Sequence, residues 1–242
     1  MRSAKFDWFS LDRNSLFDLM NFLETRLVGQ KMSVPQFHNK IVNHIKKYLP
    51  IKFRRVQDEK VDTNHVWVGG CYYSDYDQSK QKCIEIVLAY NKDQKHIAIT
   101  KRRFTRMCIG FADTLLHEII HMRQYRRRNF KIIPDYPSTA NRQKIREEQS
   151  YLGCRDEIDA YAFNIACELM DKFNFNERQI ISYINENQKG LRRAHNSYRM
   201  YLKAFGHDHS HPIIKKLKKR VVGYIPRAVV GKPYKNSEWI RN

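Results

Sequence analysis

Residues 108–127 run without proline and carry His117 and His121 among positions that are otherwise mostly apolar. Ile109, Phe111, Ala112, Leu115, Leu116, Ile119, Ile120 and Met122 cover most of the circumference away from the histidines, which predicts a buried helix with one polar stripe. On such a helix, residues four apart differ by about 40° in azimuth and about 6 Å in rise, so both imidazoles leave from one face. Gly110, Asp113, Thr114 and Gln124 fall on or beside that stripe. They leave little bulk there, and Asp113 offers an acceptor for an imidazole N–H. The plainer alternative is a pair of core histidines bonded to main-chain carbonyls, since an unpartnered buried polar group is costly.

The residue after the first histidine is Glu118, completing His117-Glu118-Ile119-Ile120-His121, the minimal pattern of a zinc hydrolase. One zinc ion can take both imidazoles. Glu118 lies roughly 100° round from His117, beside the ion, where a carboxylate can take a proton from water. Catalytic zinc usually has three protein ligands and an open position. No histidine occurs between His121 and His195, so a carboxylate is expected, and the segment from Arg155 to Phe163 supplies candidates. Asp156 suits an N-cap, and Ile158, Ala162, Phe163, Ile165, Ala166, Leu169, Met170 and Phe173 give a second apolar helix. Glu157 shares a face with Tyr161, Asn164 and Glu168, whereas Asp159 points nearly opposite, toward the apolar side. Helix phase does not choose between them.

The stretch from His117 to Tyr125, followed by Glu157-Ile158-Asp159-Ala160-Tyr161-Ala162, resembles the gluzincin-type metallopeptidases, which carry HExxH on one helix and a glutamate ligand on the next. Within that group it is similar to small bacterial and phage proteins reading HExxHxxQ…ExEAxA. The resemblance implies that His117, His121 and Glu157 bind zinc and that Glu118 is the general base. It also implies that the edge strand of a small sheet binds extended peptide by strand addition, a role open to residues 96–100 or 83–90. A more distant likeness is to SprT-type proteases, which use a histidine as the third ligand.

The charge balance is strongly basic, with 45 Lys and Arg against 25 Asp and Glu, a net +20. Residues 189–220 hold ten cations and Asp208 as the one acid; Arg192, Arg193, Lys215, Lys216, Lys218, Lys219 and Arg220 are the candidates for a surface that meets nucleic acid or an acidic protein. No nucleic-acid motif accompanies them, and a solvated basic face is the alternative. Lys101, Arg102, Arg103 and Arg106 precede the histidine helix, and Arg123 and residues 126–128 end it, where cations complement the helix dipole. Five cysteines without a CxxC pair fit a reducing compartment. The start lacks an apolar signal core and no apolar run approaches bilayer-spanning length. The expectation is a cytoplasmic protein, of its own cell or of a host, with no membrane partner, and virion-associated if of phage origin.

Two N-terminal helices are expected at 15–27 and 33–48, each begun by a serine, with Pro50 as the stop. Residues 66–73, 83–90 and 96–100 read as strands, 129–150 as a loop able to hold a short helix, and 177–186 and 191–205 as further helices. Trp67, Tyr72, Tyr73 and Tyr76 read as core. His207, His209 and His211 read as part of a flexible polar loop, and His195 with Tyr198, or Tyr151 near the third ligand, as candidate oxyanion donors. The whole predicts an α+β, mostly helical, zincin-like metallopeptidase domain over residues 1–205, with a small sheet packed on the HExxH helix, and a basic tail over 206–242. The expected activity is zinc-dependent hydrolysis of a protein or peptide substrate. The rival is a basic nucleic-acid- or virion-associated binding protein that keeps the fold without proteolysis.

Overall fold

A computed structural model describes residues 6–185 and 196–228, and over these the chain is α+β and mostly helical. It divides into two compact units, Met1–Arg123 and Gln124–Arg241.

In the first unit, α1 (Arg13–Leu27) is capped by Asp12, whose carboxylate accepts from the Ser15 backbone at 2.7 Å and from its hydroxyl at 2.6 Å. The expected serine cap is thus a first-turn residue that helps the aspartate. Leu16, Met20, Leu23 and Leu27, spaced by four, three and four, form its buried face. After β1 (Lys31–Ser33), Ser33 and Gln36 make a reciprocal capping box for α2 (Val34–Ile45), with Pro35 in the first turn where no N–H is needed.

The sheet consists of β2 (Lys52–Gln57), β3 (Trp67–Tyr72) and β4 (Ile84–Tyr90), in the order β2-β4-β3, β2 parallel and β3 antiparallel to β4. A short helix, α3 (Ser74–Gln78), joins β3 to β4. Sequence patterning overlooks β2 because it reads Lys-Phe-Arg-Arg-Val-Gln; its cations suit an edge, and Arg54 meets Glu85 of β4 at 3.3 Å. β5 (His96–Ala98) pairs instead with β1. Of the two strands expected to accept a peptide, β4 is the interior strand of its sheet and has no free edge, while β5 lies in a separate two-stranded sheet; the strand lying against the histidine helix is β3. Trp67 and Tyr76 are exposed rather than core, while the Tyr73 hydroxyl donates to Glu85 and the Tyr72 hydroxyl to Asp77.

The long helix α4 (Lys101–Arg127) starts earlier than its apolar pattern suggests. Thr100 caps it, its hydroxyl accepting from the Arg103 backbone at 3.3 Å, so the basic set at 101–106 forms its opening turns rather than a lead-in. Phe104, Phe111, Ala112 and Leu115 are fully buried.

The second unit contains α5 (Gln143–Gly153), α6 (Arg155–Lys172), α7 (Glu177–Asn185), α8 (Asn196–Ala204) and α9 (Pro212–Ala228). α6 begins one residue before the expected cap: Cys154 takes the cap position, and Asp156 and Glu157 sit in the first turn, favourable to the helix dipole. Residues 206–228 fold as a turn and α9 rather than as an extended tail, and residues 229–242 lie outside the described residues. Ile213, Ile214, Leu217, Val221 and Ile225 recur on one side of α9 and enter a core with Ile158, Ile165 and Leu169 of α6. Each such side chain is worth roughly 1.5–3 kcal/mol on burial, enough to hold a helix half of whose remaining positions are charged. Gly206, at φ +68, and His207 turn the chain out of α8. Asp208 then accepts from the Ser210 backbone and hydroxyl, and the His211 carbonyl accepts from Lys215, so the histidine cluster is the ordered start of α9. Arg192, Arg193 and His195 lie outside the described residues. No helix among the described residues is long and apolar enough to cross a membrane.

Candidate metal centre

Helix α4 does what its spacing requires. His117 is buried and His121 half-buried, with their Nε2 atoms 3.0 Å apart and their rings edge-on at 81°. Two nitrogens each about 2.0–2.1 Å from one tetrahedral ion stand about 3.3–3.4 Å apart, so the observed pair needs only a small adjustment to share one. The ligand atoms of His117, His121 and Glu157 all lie within 4.8 Å of one another, and no other group of three potential ligands is found among the described residues. Two imidazoles and a carboxylate are the donor set of a hydrolytic zinc site with a coordination position to spare.

Glu157 owes its position to contacts made inside the second unit. Arg128, just past the end of α4, holds both carboxylate oxygens of Asp156, at 2.8 and 2.6 Å. Gln124 donates to the Asp156 carbonyl at 3.0 Å and to Asp159 at 3.3 Å. The first turn of α6 is thereby fastened, inside the second unit, to the last turn of α4. Asp159 is committed elsewhere: the Tyr224 hydroxyl donates to it at 3.0 Å and Arg220 approaches at 3.7 Å. It faces polar partners on α9, not the apolar side expected from helix phase.

Tyrosines surround Glu157. Tyr151 is 48 % exposed as a residue, yet desolvation of its phenol raises it far above its ordinary range, and the Glu157 charge, within hydrogen-bonding reach, adds to the shift. Tyr201 is raised likewise, by burial first and then by Glu157 and Tyr161. Both phenols stay protonated at neutral pH, and Tyr151 is a donor toward the carboxylate. Of the oxyanion donors that the sequence offers, Tyr151 is thus placed beside Glu157, the Tyr198 hydroxyl lies 3.4 Å from His209 Nδ1 and His195 is outside the described residues.

Glu118 is buried, facing β3. A Cβ built on Gly70 would stand 2.6 Å from Thr114 Cγ2 and 3.0 Å from both Cγ and Oε1 of Glu118. The strand passes too close to the helix for any side chain there. The signal is present in the sequence, because paired glycines inside a strand mark close approach, but nothing in it names Glu118 as the neighbour. Asp113, expected to receive an imidazole N–H, is held by Arg13 at 3.1 Å.

The basic candidates are divided by α9. Lys216, Lys219 and Arg220 line one cleft, while Lys215 lies outside it, exposed, and burial lowers the Lys218 ammonium from its ordinary value. Compared with family models, curated proteins and solved structures, the chain matches none.

Proposed function

We propose that the chain is a zinc-dependent peptidase on a zincin-like fold, with His117, His121 and Glu157 as the metal ligands and Glu118 as the general base. The observation that carries this reading is the convergence of those three ligand atoms within 4.8 Å, next in sequence to a buried glutamate. Zinc held there would supply Lewis-acid activation of a water and of the scissile carbonyl. Glu118 accepts the proton of the attacking water and returns it to the leaving amine, while Thr114 and the bare backbone at Gly70 confine its side chain. Tyr151 orients Glu157. A cytosolic setting is supported by the absence of disulfides among the five cysteines.

The test is metal content together with hydrolysis of an unfolded protein. His117→Ala with His121→Ala should remove stoichiometric zinc, and Glu118→Gln should keep zinc and fold while losing cleavage. Zinc retained in the double variant, or cleavage within a few-fold of wild type for Glu118→Gln, would overturn the assignment. A second reading, a basic protein that binds nucleic acid or an acidic protein without hydrolysis, is favoured by the net charge of +20.

A further inference from the structure

A cleft of about 890 Å³ opens inside the second unit, walled by the end of α4, the start of α6 and one side of α9. Its charged lining is six cations against two carboxylates. The carboxylates lie on the inner side and are already engaged, Asp156 by Arg128 and Asp159 by Tyr224, Gln124 and Arg220. Arg127, Arg155, Lys216 and Lys219 are different. They are exposed, and none pairs with a carboxylate among the described residues. Lys216 and Lys219 stand one turn apart on α9, with Arg127 and Arg155 on the wall formed by α4 and α6. Four uncompensated cations around one concavity repel each other, and a solvated surface has no reason to gather them there.

We propose that this cleft binds the phosphodiester backbone of a single nucleic-acid strand. The arrangement decides against a compact phosphate buried at the floor, since a dianion there would face Asp156 and Asp159. A strand laid across the mouth meets the rim cations at successive phosphates, and the two arginines can each grip one with paired N–H donors. The inner wall also leaves room for a base. A Cβ on Gly223 would meet nothing within 4 Å, and the adjoining Tyr224 ring is half-buried in the same wall. A charged groove beside an aromatic ring is what sequence-tolerant strand binding uses. The cleft shares no ligand atom with the histidine cluster, so this inference does not depend on the peptidase reading.

The test is fluorescence anisotropy of a labelled mixed-sequence single strand with the full chain over a salt series. Replacing Arg127, Arg155, Lys216 and Lys219 together by Gln should weaken binding at low salt at least about tenfold and flatten the log–log salt slope by about three, at roughly 0.7 for each phosphate no longer neutralised. A control that removes the same charge elsewhere, Lys40, Lys47, Lys82 and Lys95 to Gln, should bind within about twofold of wild type, because none of these lines the cleft and exposed charges act over little more than a Debye length. Gly223→Glu removes no cation and fills open space, and should also weaken binding. Equal losses in the rim and control variants would reduce the effect to bulk charge and overturn the proposal. So would undiminished binding by Gly223→Glu, or displacement of the strand more readily by polyglutamate or duplex than by unlabelled strand.

Discussion

Adding one methyl group at Gly70 tests whether β3 is held as closely against Glu118 as the structure shows. The added carbon in Gly70→Ala would stand 2.6 Å from Thr114 Cγ2, well inside the roughly 3.5–4.0 Å at which carbons attract. Neither side yields easily. Gly70 is fixed opposite Ile86 in the sheet, Thr114 is β-branched with restricted χ1 on a helix, and Glu118 is buried. Overpacking of this kind costs roughly 1–3 kcal/mol, offset by roughly 0.4–1 kcal/mol because alanine stiffens the unfolded chain. The adjacent Gly69→Ala is the control. Its methyl meets the Trp67 ring, but that ring is 56 % exposed and can swing into solvent. The unfolded-state gain cancels between the two variants, so Gly70→Ala should be less stable than Gly69→Ala by about 1–3 kcal/mol, read from urea midpoints by far-UV circular dichroism. Adding Thr114→Ser removes the nearest carbon and should recover most of that loss. Under the peptidase reading, hydrolysis should fall on the order of a hundredfold in Gly70→Ala and stay low in the rescued variant, because the contact with Glu118 persists. Equal stability of the two alanine variants, or no recovery with Thr114→Ser, would refute the close approach.

Three further outcomes are expected. Removing one partner of the enclosed Arg128–Asp156 pair, as in Arg128→Ala, should destabilise the second unit by roughly 3 kcal/mol, whereas the double leucine variant should cost less; a milder single variant in denaturant titration would show the pair to be dispensable. His38 is held below its ordinary value of 6.5, by burial first and then by Arg55 and Lys46, so the unfolded chain takes up a proton before the folded one as pH falls. Stability of the first unit should therefore be lost as pH drops below about 6.5, and His38→Gln should flatten that limb; parallel profiles would exclude His38 as its source. Glu157→Ala should lose zinc while Asp159→Asn keeps it, by elemental analysis of the purified variants, and the reverse pattern would move the third ligand to Asp159.

What the sequence discloses follows the range of the interactions concerned. The histidine helix from residue 108 on, the strands β3, β4 and β5 and the apolar face of α6 are written in local period, and each forms close to where the pattern puts it. β2 is not, because a charged edge strand is made by its partner: Lys-Phe-Arg-Arg-Val-Gln becomes a strand through six paired positions on β4. At α9 the mismatch has a different origin. Six cations, two prolines and a glycine between 212 and 228 dominate its composition and suggest a tail, while the five-residue stripe that folds it is spread over thirteen positions. Spacing, not charge, carries the information there.

The proposed third ligand shows most clearly where local reading stops. Helix phase puts Glu157 and Asp159 on opposite faces and says nothing about which face meets the histidines, because that depends on how α6 is rotated about its own axis. The rotation is fixed by residues distant in sequence: Arg128 clamps Asp156, and Tyr224 and Arg220, some sixty residues on, hold Asp159 on the α9 side. With Asp159 so held, Glu157 is the carboxylate that has an oxygen within 4.8 Å of a ligand nitrogen of each imidazole. Under the proposed zinc site, weakening the Asp159 anchor, for instance with Tyr224→Phe and Arg220→Gln together, should therefore lower zinc affinity although neither residue is one of the three ligands. Zinc affinity unchanged in that variant, measured by competition with a chelator, would show that Glu157 is positioned by its own tyrosines and not through Asp159.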